Sequence, residues 1–306
     1  MTHSVDPVLI VGSMAFDDLE LPTGRFDDVI GGAATYAAYA ASLYAPAQIV
    51  AVVGEDFPQS TLEDLSRRGV DTAGVARASG KTFRWAGRYS KNLASRETLD
   101  TQLNVFADFE PTLPETFRDT PWVLLGNIHP ALQLAVLDQT RAPRFVAADT
   151  MNFWIEGERD ALMKVLERID LLVINDEELR QLADIHNIQR AARAVLGMGP
   201  KRLIVKRGEY GAMLFDNDRI FFSPAYPLED EVDPTGAGDT FAGALVGSLA
   251  AAGGVSHLGL RRAVVNAATV ASYCVEGVGT AKLGRLHRSQ LSERIDSLRS
   301  LVQCTD

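Results

Sequence analysis

The stretch VDPTGAGDTFAGALVGSLAAAGG, residues 232–254, joins a glycine-rich turn to a long run of small and apolar residues. The run predicts a helix over residues 237–252 that begins directly at the turn. A helix N-terminus carries unpaired backbone N–H groups and the positive end of the helix dipole, so it attracts anions. Asp233 and Asp239 lie on either side of the turn, and aspartate also favours a helix start by itself. A plain helix cap and a phosphate-binding site therefore both fit this stretch.

Two familiar nucleotide motifs do not occur in the stretch. The P-loop pattern, GxxxxGK followed by Ser or Thr, is absent, and GAGDTF does not fit GxGxxG. If the turn binds phosphate, Asp239 is placed to accept the proton of a substrate hydroxyl that attacks a phosphoryl group.

Outside this stretch, short apolar runs alternate with longer segments of helical period, which is typical of parallel strands covered on both faces. We predict an α/β fold in three layers, with a doubly wound, mostly parallel sheet flanked by helices. The predicted strands are residues 8–11, 49–53, 122–125, 145–148, 171–174 and 203–205. The predicted helices are residues 33–44, 59–68, 131–140, 159–169, 177–185, 188–196, 237–252, 258–274 and 285–302.

Two segments break this alternation and predict β structure. Residues 14–30 are too polar and turn-rich for a crossover helix, and residues 80–107 show partial alternation of period two. If the two segments meet, they form a small β lid over one end of the main sheet, which would exclude water from a site there. The sequence has no internal repeat or long linker, so residues 1–306 are expected to form a single domain.

The composition limits the possible partners. With 306 residues, 46% of them hydrophobic, the chain is expected to be a soluble globular protein with a large core. A formal charge of -10 disfavours nucleic acid and anionic membranes as partners. Cys274 and Cys304 have no paired spacing, so we expect neither a disulfide framework nor a zinc site. No signal-peptide pattern or membrane-length apolar run is found, and a cytoplasmic location is expected.

The order of several motifs resembles that of the ribokinase-like (PfkB) family of carbohydrate and nucleoside kinases. DPTGAGDTFAGALV, residues 233–246, matches the C-terminal signature of the family at every constrained position. The pair Gly31 and Gly32, which precedes an alanine-rich helix, resembles the N-terminal signature. NDEE at residues 175–178 resembles the NxxE motif, and KRGEYGAML at residues 206–214 resembles the nucleotide-site segment. The resemblance covers essentially the whole chain.

The resemblance implies transfer of the γ-phosphate of ATP to a hydroxymethyl-type hydroxyl of a sugar or sugar-like substrate. Asp239 is then the catalytic base, and the N–H groups of Gly236, Ala237 and Gly238 form an anion hole. The acceptor is expected to contact Asp17, for which Asp18 is the rival, together with Gly31, Gly32 and Asn127.

ATP and Mg²⁺ are the implied cofactors, and K⁺ is a possible third. Asn175 and Glu178 are expected to organise Mg²⁺, although N-x-x-E also fits a helix capping box. Asp233 and Thr235 match positions that in many members help to hold a monovalent cation. The residues expected at the adenine end are Lys206, Gly208, Gly211, Asn266 and Gly277.

The sequence leaves the acceptor open. In ribokinase the N-terminal motif reads GGKGAN, whereas here residues 33–36 are AATY, which disfavours ribose itself. Tyr36 and Phe16 favour a nucleoside or a bulky cyclic polyol, whereas Asn127 and the polar side chains of Thr150 and Asn152 favour a different sugar. His129 and the aromatic residues of the second lid segment fit a structural role as well as a binding role.

Two other functions fit the sequence less well. A nicotinamide-dependent oxidoreductase is disfavoured because the first strand runs into GSMAFDD instead of GxGxxG. A catalytically silent sensor of nucleosides or sugars is disfavoured by Asp239 and its glycine-rich turn. Exposed strand edges in the lid make a homodimer an open alternative to a monomer.

Overall fold

A computed structural model gives the fold of residues 5–303. The strands, in chain order, are β1 (Val8–Val11), β2 (Ala15–Leu21), β3 (Gly24–Gly31), β4 (Ala47–Val53), β5 (Val70–Arg77), β6 (Phe83–Tyr89), β7 (Arg96–Gln102), β8 (Trp122–Leu125), β9 (Phe145–Asp149), β10 (Leu171–Asn175), β11 (Arg202–Lys206), β12 (Ala212–Asp216) and β13 (Arg219–Ser223). The helices are α1 (Ala33–Ala41), α2 (Gln59–Arg67), α3 (Pro130–Gln139), α4 (Asn152–Gly157), α5 (Arg159–Leu166), α6 (Asp176–Ala183), α7 (Ile188–Leu196), α8 (Ala237–Ala252), α9 (His257–Val275) and α10 (Arg288–Ser300).

Nine strands form the main sheet in the order β13-β12-β11-β10-β9-β8-β1-β4-β5. The strands from β11 to β5 in this order are parallel, and β12 and β13 extend the sheet at one edge through two antiparallel pairings. Two apolar clusters cover the two faces of this sheet, one of them containing α1, α8 and α9. The predicted α/β fold with a mostly parallel, helix-flanked sheet is confirmed.

All six predicted strands are present, but sequence inspection missed β5, β12 and β13. The six are buried along almost their whole length and therefore read as continuous apolar runs. β5 and β13 form the two edges of the sheet, and many of their side chains are exposed. An edge strand needs fewer apolar side chains, so it lacks the pattern that identified the central strands.

Helix ends were predicted less well than helix positions. The helix predicted over residues 33–44 ends at Ala41, because the N–H groups of Leu43 and Tyr44 bond to carbonyls only three residues back. This tightening of the last turn is a common way for a helix to end. The last helix begins at Arg288 instead of residue 285, and the short helix α4 was missed.

The two segments predicted as β excursions meet in a second sheet of four strands, in the order β3-β2-β6-β7. We call it the small sheet. β7 lies at its edge, and all of its side chains are exposed. A lid function of the small sheet, pairing of its edge with a second copy and a single domain over residues 1–306 stay predictions.

Close packing of α8 against α1 fixes the position of the stretch that opened the sequence. A Cβ atom added to Gly243 would overlap the backbone of Ala37, and one added to Gly247 would lie 2.8 Å from the carbonyl oxygen of Ala41. The backbones of the two helices are therefore in contact, and the N-terminus of α8 is held beside that of α1. Cys274 on α9 is buried, and Cys304 lies outside the described residues.

No helix within residues 5–303 is both long enough and apolar enough to cross a membrane.

Candidate active site

Three neighbouring strands of the main sheet end in polar residues at one edge. Asp149 is the last residue of β9, Asn175 of β10 and Lys206 of β11, and Asn175 pairs with Lys206 in register. The carboxyl ends of parallel strands share one edge, which is where open α/β sheets bind ligands. The polar ends of these strands therefore form one wall of a candidate site.

The N-terminus of α8 faces this wall without a side-chain cap. Its N-cap residue is Gly236, with φ 73° and ψ 1°. Ala237 donates its N–H to the carbonyl oxygen of Pro234 at 3.2 Å. Within residues 5–303 the N–H groups of Gly236 and Gly238 have no acceptor. Of the three donors expected in the anion hole, these two are thus free and the third is already engaged.

Gly236 cannot be replaced by a larger residue without a shift of its surroundings. Its φ of 73° lies in the left-handed region, which is unfavourable for residues other than glycine. A Cβ atom added there would also overlap the ring of Tyr36 on α1. The turn therefore needs glycine for its conformation and for its contact with Tyr36.

Asp239 lies in the first turn of α8, beside the free N–H groups. Burial raises the pKa of its carboxyl to about 7, and the charge of Asp149 adds to this rise. The positive charges of Lys206 and Arg96 act in the opposite direction. A carboxyl group with this pKa is suited to general base catalysis near neutral pH.

Lys206 lies between Asp149 and the start of α8. Its Nζ atom is 3.0 Å from Oδ2 of Asp149, and a Cβ atom added to Gly238 would lie 2.9 Å from the same Nζ. Burial lowers the pKa of Lys206, but the carboxylates of Asp149 and Glu178 outweigh this effect and hold the pKa above its ordinary value. The ammonium group thus lies beside Gly238 in the first turn of α8, whereas the sequence had suggested the adenine end.

Asn175 and Glu178 form a complete capping box at the start of α6. Oδ1 of Asn175 accepts the N–H of Glu178 at 2.7 Å, and Oε2 of Glu178 accepts the N–H of Asn175 at 2.8 Å. Burial raises the pKa of Glu178 to about 7, although the nearby charge of Lys206 opposes this rise. The N-x-x-E motif therefore forms a helix capping box, and the Glu178 carboxyl lies close to Lys206.

Asp17 and Asp18 on β2 have different environments. Asp17 is 4% exposed, and its carboxyl occupies the space that a side chain on Gly31 would need. Burial raises its pKa to about 8, and the charges of Asp233 and Asp239 contribute further. Asp18 instead forms an ion pair with Arg84 at 2.7 Å within the small sheet. Of the two rivals, Asp17 belongs to the acidic cluster, and Asp18 is engaged elsewhere.

Asp233 and Thr235 brace the turn before α8. The two carboxylate oxygens of Asp233 accept the N–H groups of Thr235 and Gly279, both at 2.9 Å. Oγ1 of Thr235 is 2.9 Å from Oη of Tyr89, at the end of β6. These bonds tie the turn both to the segment after α9 and to the small sheet.

The remaining residues predicted to contact the acceptor or the adenine lie in several separate parts of the structure. Oδ1 of Asn127 accepts a hydrogen bond from Nε1 of Trp154 at 2.9 Å, and Nδ2 of Asn266 donates to Ser248 on α8 at 2.8 Å. Gly277 lines a cavity of about 380 Å³. Gly32, the N-cap of α1, and Gly211 both have positive φ values and lie against neighbouring backbone, whereas Gly208 is exposed. None of these contacts assigns a ligand to the residues concerned.

Two charged residues of the site were missed in the sequence. Asp149 directly follows the run predicted as a strand over residues 145–148, so the reasoning applied to Asn175 would have found it. Arg96 lies in the irregular second β segment, and only the pairing of β6 with β7 brings it near Asp239. Among residues 5–303 no group of three or more His, Cys, Asp or Glu side chains is arranged to hold a metal ion.

Comparison with known proteins gives a family match over nearly the whole chain. The family model for pfkB family carbohydrate kinases matches residues 4–284. A cytidine kinase of Thermococcus kodakarensis is 30% identical over 242 residues, which are 77% of this chain and 86% of that relative.

Two solved structures share the fold. A Vibrio cholerae fructokinase variant with fructose, ADP and potassium bound has a TM-score of 0.81 at 19% identity, over 96% of this chain and 100% of that one. Aminoimidazole riboside kinase of Salmonella enterica, complexed with aminoimidazole riboside and an ATP analogue, has a TM-score of 0.74 at 21% identity, over 95% and 100%. This chain therefore belongs to the pfkB family of carbohydrate kinases, and it is a phosphotransferase that acts on a hydroxyl group of a sugar or nucleoside.

Proposed function

We propose that the chain transfers the γ-phosphate of ATP to a hydroxymethyl group, with Asp239 as the general base. One observation carries this proposal. Helix α8 begins at an uncapped glycine, with the Asp239 carboxyl in its first turn and the Lys206 ammonium against it. Free N–H donors, a cation and a base are thereby gathered at one helix start, which is what phosphoryl transfer to a hydroxyl requires.

In the proposed reaction, the acceptor oxygen forms a bond to the γ-phosphorus while the bond from that phosphorus to ADP breaks. The hydroxyl proton passes to the ionised carboxylate of Asp239. The N–H groups of Gly236 and Gly238, with the Lys206 ammonium, stabilise the negative charge on the group in transfer. Asp17, with its pKa of about 8, is largely protonated at neutral pH and is able to donate a hydrogen bond to the acceptor.

The residues present fit the Mg²⁺ ion that is expected with ATP. The capping box uses Oε2 of Glu178, which leaves Oε1 for a water molecule of the ion. Mg²⁺ usually keeps several waters and binds few carboxylates besides the substrate phosphates. Glu178 and Asn175 would hold the hydrated ion, which neutralises phosphate charge when it is bound.

K⁺ fits the predicted side chains less directly. Each carboxylate oxygen of Asp233 already accepts a backbone N–H, and the hydroxyl of Thr235 is bonded to Tyr89. These groups support the turn, so a monovalent cation beside it would depend mainly on backbone oxygens. Activation by K⁺ stays a prediction, which rates in K⁺ and in a large organic cation at matched ionic strength would test.

For the acceptor we propose a riboside with a planar base. Trp154 and Phe153 on α4 lie where β9 ends, with ring centroids 4.9 Å apart, and His129 lies 5.0 Å from Trp154. Phe153 is 62% exposed, so its ring is available for stacking on a base. The similarity to a cytidine kinase and the fold shared with a riboside kinase support the same choice. A free sugar is the alternative.

An acceptor panel tests this proposal through the release of ADP. We expect turnover with one or more nucleosides such as cytidine, and much slower turnover with ribose and fructose. Asp239→Asn should lower kcat by about 100-fold or more, because the base is lost while the helix start is retained. Asp160→Asn is the matched control, since Asp160 lies in the first turn of α5 and is exposed.

Wild-type turnover in Asp239→Asn would overturn the assignment of the base. Preference for a free sugar over every nucleoside would overturn the riboside proposal and leave the kinase mechanism intact. Thermal unfolding and ADP binding of the variant show whether its fold is preserved.

A further inference from the structure

Arg96 links the small sheet to the turn before α8. It is the first residue of β7 and pairs in register with Tyr89, the last residue of β6. Oη of Tyr89 is 2.9 Å from Oγ1 of Thr235, which directly precedes Gly236. Residues paired across a sheet present their side chains on the same face. The end of the β6–β7 hairpin therefore lies on the turn that carries the free N–H groups.

Arg96 differs from the other arginines of this part of the small sheet. Arg84 and Arg88 on β6 both form ion pairs, with Asp18 at 2.7 Å and with Glu20 at 2.6 Å. In the described part of the chain, Arg96 has no carboxylate within 4.0 Å. Its guanidinium instead rests over the ring of Trp85, at 5.7 Å from the ring centroid. Arg96 is thus a cation without an acidic partner, next to a group of acidic residues.

The charge of Arg96 acts on three parts of the proposed site. It lowers the pKa of Asp17 at the acceptor end, of Glu178 at the magnesium end and of Asp239 between them, in each case against the larger effect of burial. Coulombic effects act over a distance, so the position of Arg96 is given by its register with Tyr89, whose hydroxyl contacts Thr235 just before the turn. Lys206 is the other cation that acts on both Glu178 and Asp239.

We propose that Arg96 is a catalytic residue that binds the phosphoryl group in transfer from the side of the small sheet. This inference rests on the proposed kinase mechanism. The group in transfer carries negative charge on three oxygens, and the N–H groups and Lys206 approach it from the main sheet and α8. A guanidinium has a planar set of donors suited to two of these oxygens at once. Arg96 forms and breaks no covalent bond, and the proton still passes to Asp239.

The test compares Arg96→Gln with Arg88→Gln, a neighbouring exposed arginine of the same sheet. Arg96→Gln should lower kcat by about 100-fold or more, with little change in the KM for ATP, because the contact forms with the group in transfer. Arg96→Lys should recover part of the loss, and added guanidinium ion should partly rescue Arg96→Ala. Arg88→Gln should retain kcat, because Arg88 is paired with Glu20.

Two further readouts separate catalysis from a structural role. The binding of ADP alone should be unchanged in Arg96→Gln, whereas the binding of ADP with aluminium fluoride, a mimic of the transferring phosphoryl group, should weaken. The acidic limb of the pH–rate profile should move to higher pH, because loss of the cation raises the pKa of Asp239.

A kcat within about twofold of wild type in Arg96→Gln would overturn the proposal. A rise confined to the KM of the acceptor would also overturn it, and would assign Arg96 to acceptor binding. If Asp239→Asn is inactive while Arg96→Gln is active, this inference alone fails. If Asp239→Asn is fully active, the proposed mechanism fails first.

Discussion

Helices α6 and α8 begin at the same edge of the main sheet but differ in how their first N–H groups are satisfied. Each start has N–H groups that the helix itself cannot satisfy. At α6, Asn175 and Glu178 cap the helix reciprocally. At α8 the N-cap is Gly236, which has no side chain to offer, and two N–H groups have no acceptor within residues 5–303. The first start is closed by its own side chains, and the second is open to a ligand.

This difference explains why the acidic residues in the first turns of the two helices have different roles. Glu178 in the first turn of α6 contributes to a cap, which stabilises the fold, while one oxygen of its carboxyl is left over. Asp239 in the first turn of α8 makes no such cap, and its pKa is raised to about 7 beside free donors. The acidic residue at the start of α6 therefore contributes to a cap, whereas the one at the start of α8 has no such role.

The largest loss of activity is expected from a substitution that blocks the uncapped start of α8. Gly236→Ala should lower kcat by about 100-fold or more, because the added Cβ overlaps the ring of Tyr36 and displaces the N–H donors. The left-handed φ adds a cost of about 1–2 kcal/mol in stability. Steady-state kinetics and thermal unfolding measure the two effects.

Gly253→Ala is the matched control for this change. Gly253 caps the other end of α8 with φ 67°, and no atom lies within 4 Å of an added Cβ. It should lose a similar amount of stability from backbone strain and keep its turnover. Equal loss of kcat in both variants would show that strain in α8, and not the open start, controls activity.

A smaller effect on activity is expected from a substitution at the capped start of α6. Glu178→Gln keeps an oxygen that accepts the N–H of Asn175, so the cap survives while the charge is lost. We expect about a tenfold higher requirement for Mg²⁺, because the ion loses a carboxylate that orients its water. Titration of the initial rate with Mg²⁺ measures this, and Glu177→Gln, an exposed neighbour in the same turn, is the control.

An unchanged Mg²⁺ requirement in Glu178→Gln would show that Glu178 acts only as part of the cap. The cost of losing a cap is calibrated outside the site by Asn187→Ala. Asn187 caps α7 through the N–H of Arg190, and its loss should cost about 1 kcal/mol with no effect on Mg²⁺.

The last prediction concerns the dependence of stability on pH at the start of α6. The pKa of Glu178 is raised from 4.5 to about 7 in the folded protein. The folded state therefore holds this proton more tightly, so its contribution is full below the unfolded pKa and is lost as pH rises towards 7. Relative to Glu178→Gln, the wild type should lose up to about 1.4 kcal/mol for each pH unit in this window.

Chemical denaturation of both proteins between pH 4.5 and 7 measures this difference. If the two stabilities run parallel across the window, the carboxyl of Glu178 titrates as it does in the unfolded chain, and burial of its charge carries no cost.

The sequence predicted the main sheet well because each central strand is buried on both faces. Val8–Val11 and Trp122–Leu125 were predicted to the residue, since a strand without a polar face has a sharp boundary. The edge strand β5 has a weaker pattern and was missed. Ala237–Ala252 was also predicted to the residue, because glycine stands at both of its ends.

The glycine-rich turn, its position at a helix start and the order of the motifs were thus determined by the sequence alone, because they depend on local conformation and on the burial of neighbouring side chains. Tertiary structure decided which charges meet. It buried Asp17 and paired Asp18 with Arg84, placed Lys206 beside Gly238, and set Arg96 opposite Tyr89, whose hydroxyl contacts Thr235 before α8. These contacts join residues far apart in the chain, and no local pattern encodes the distance between them.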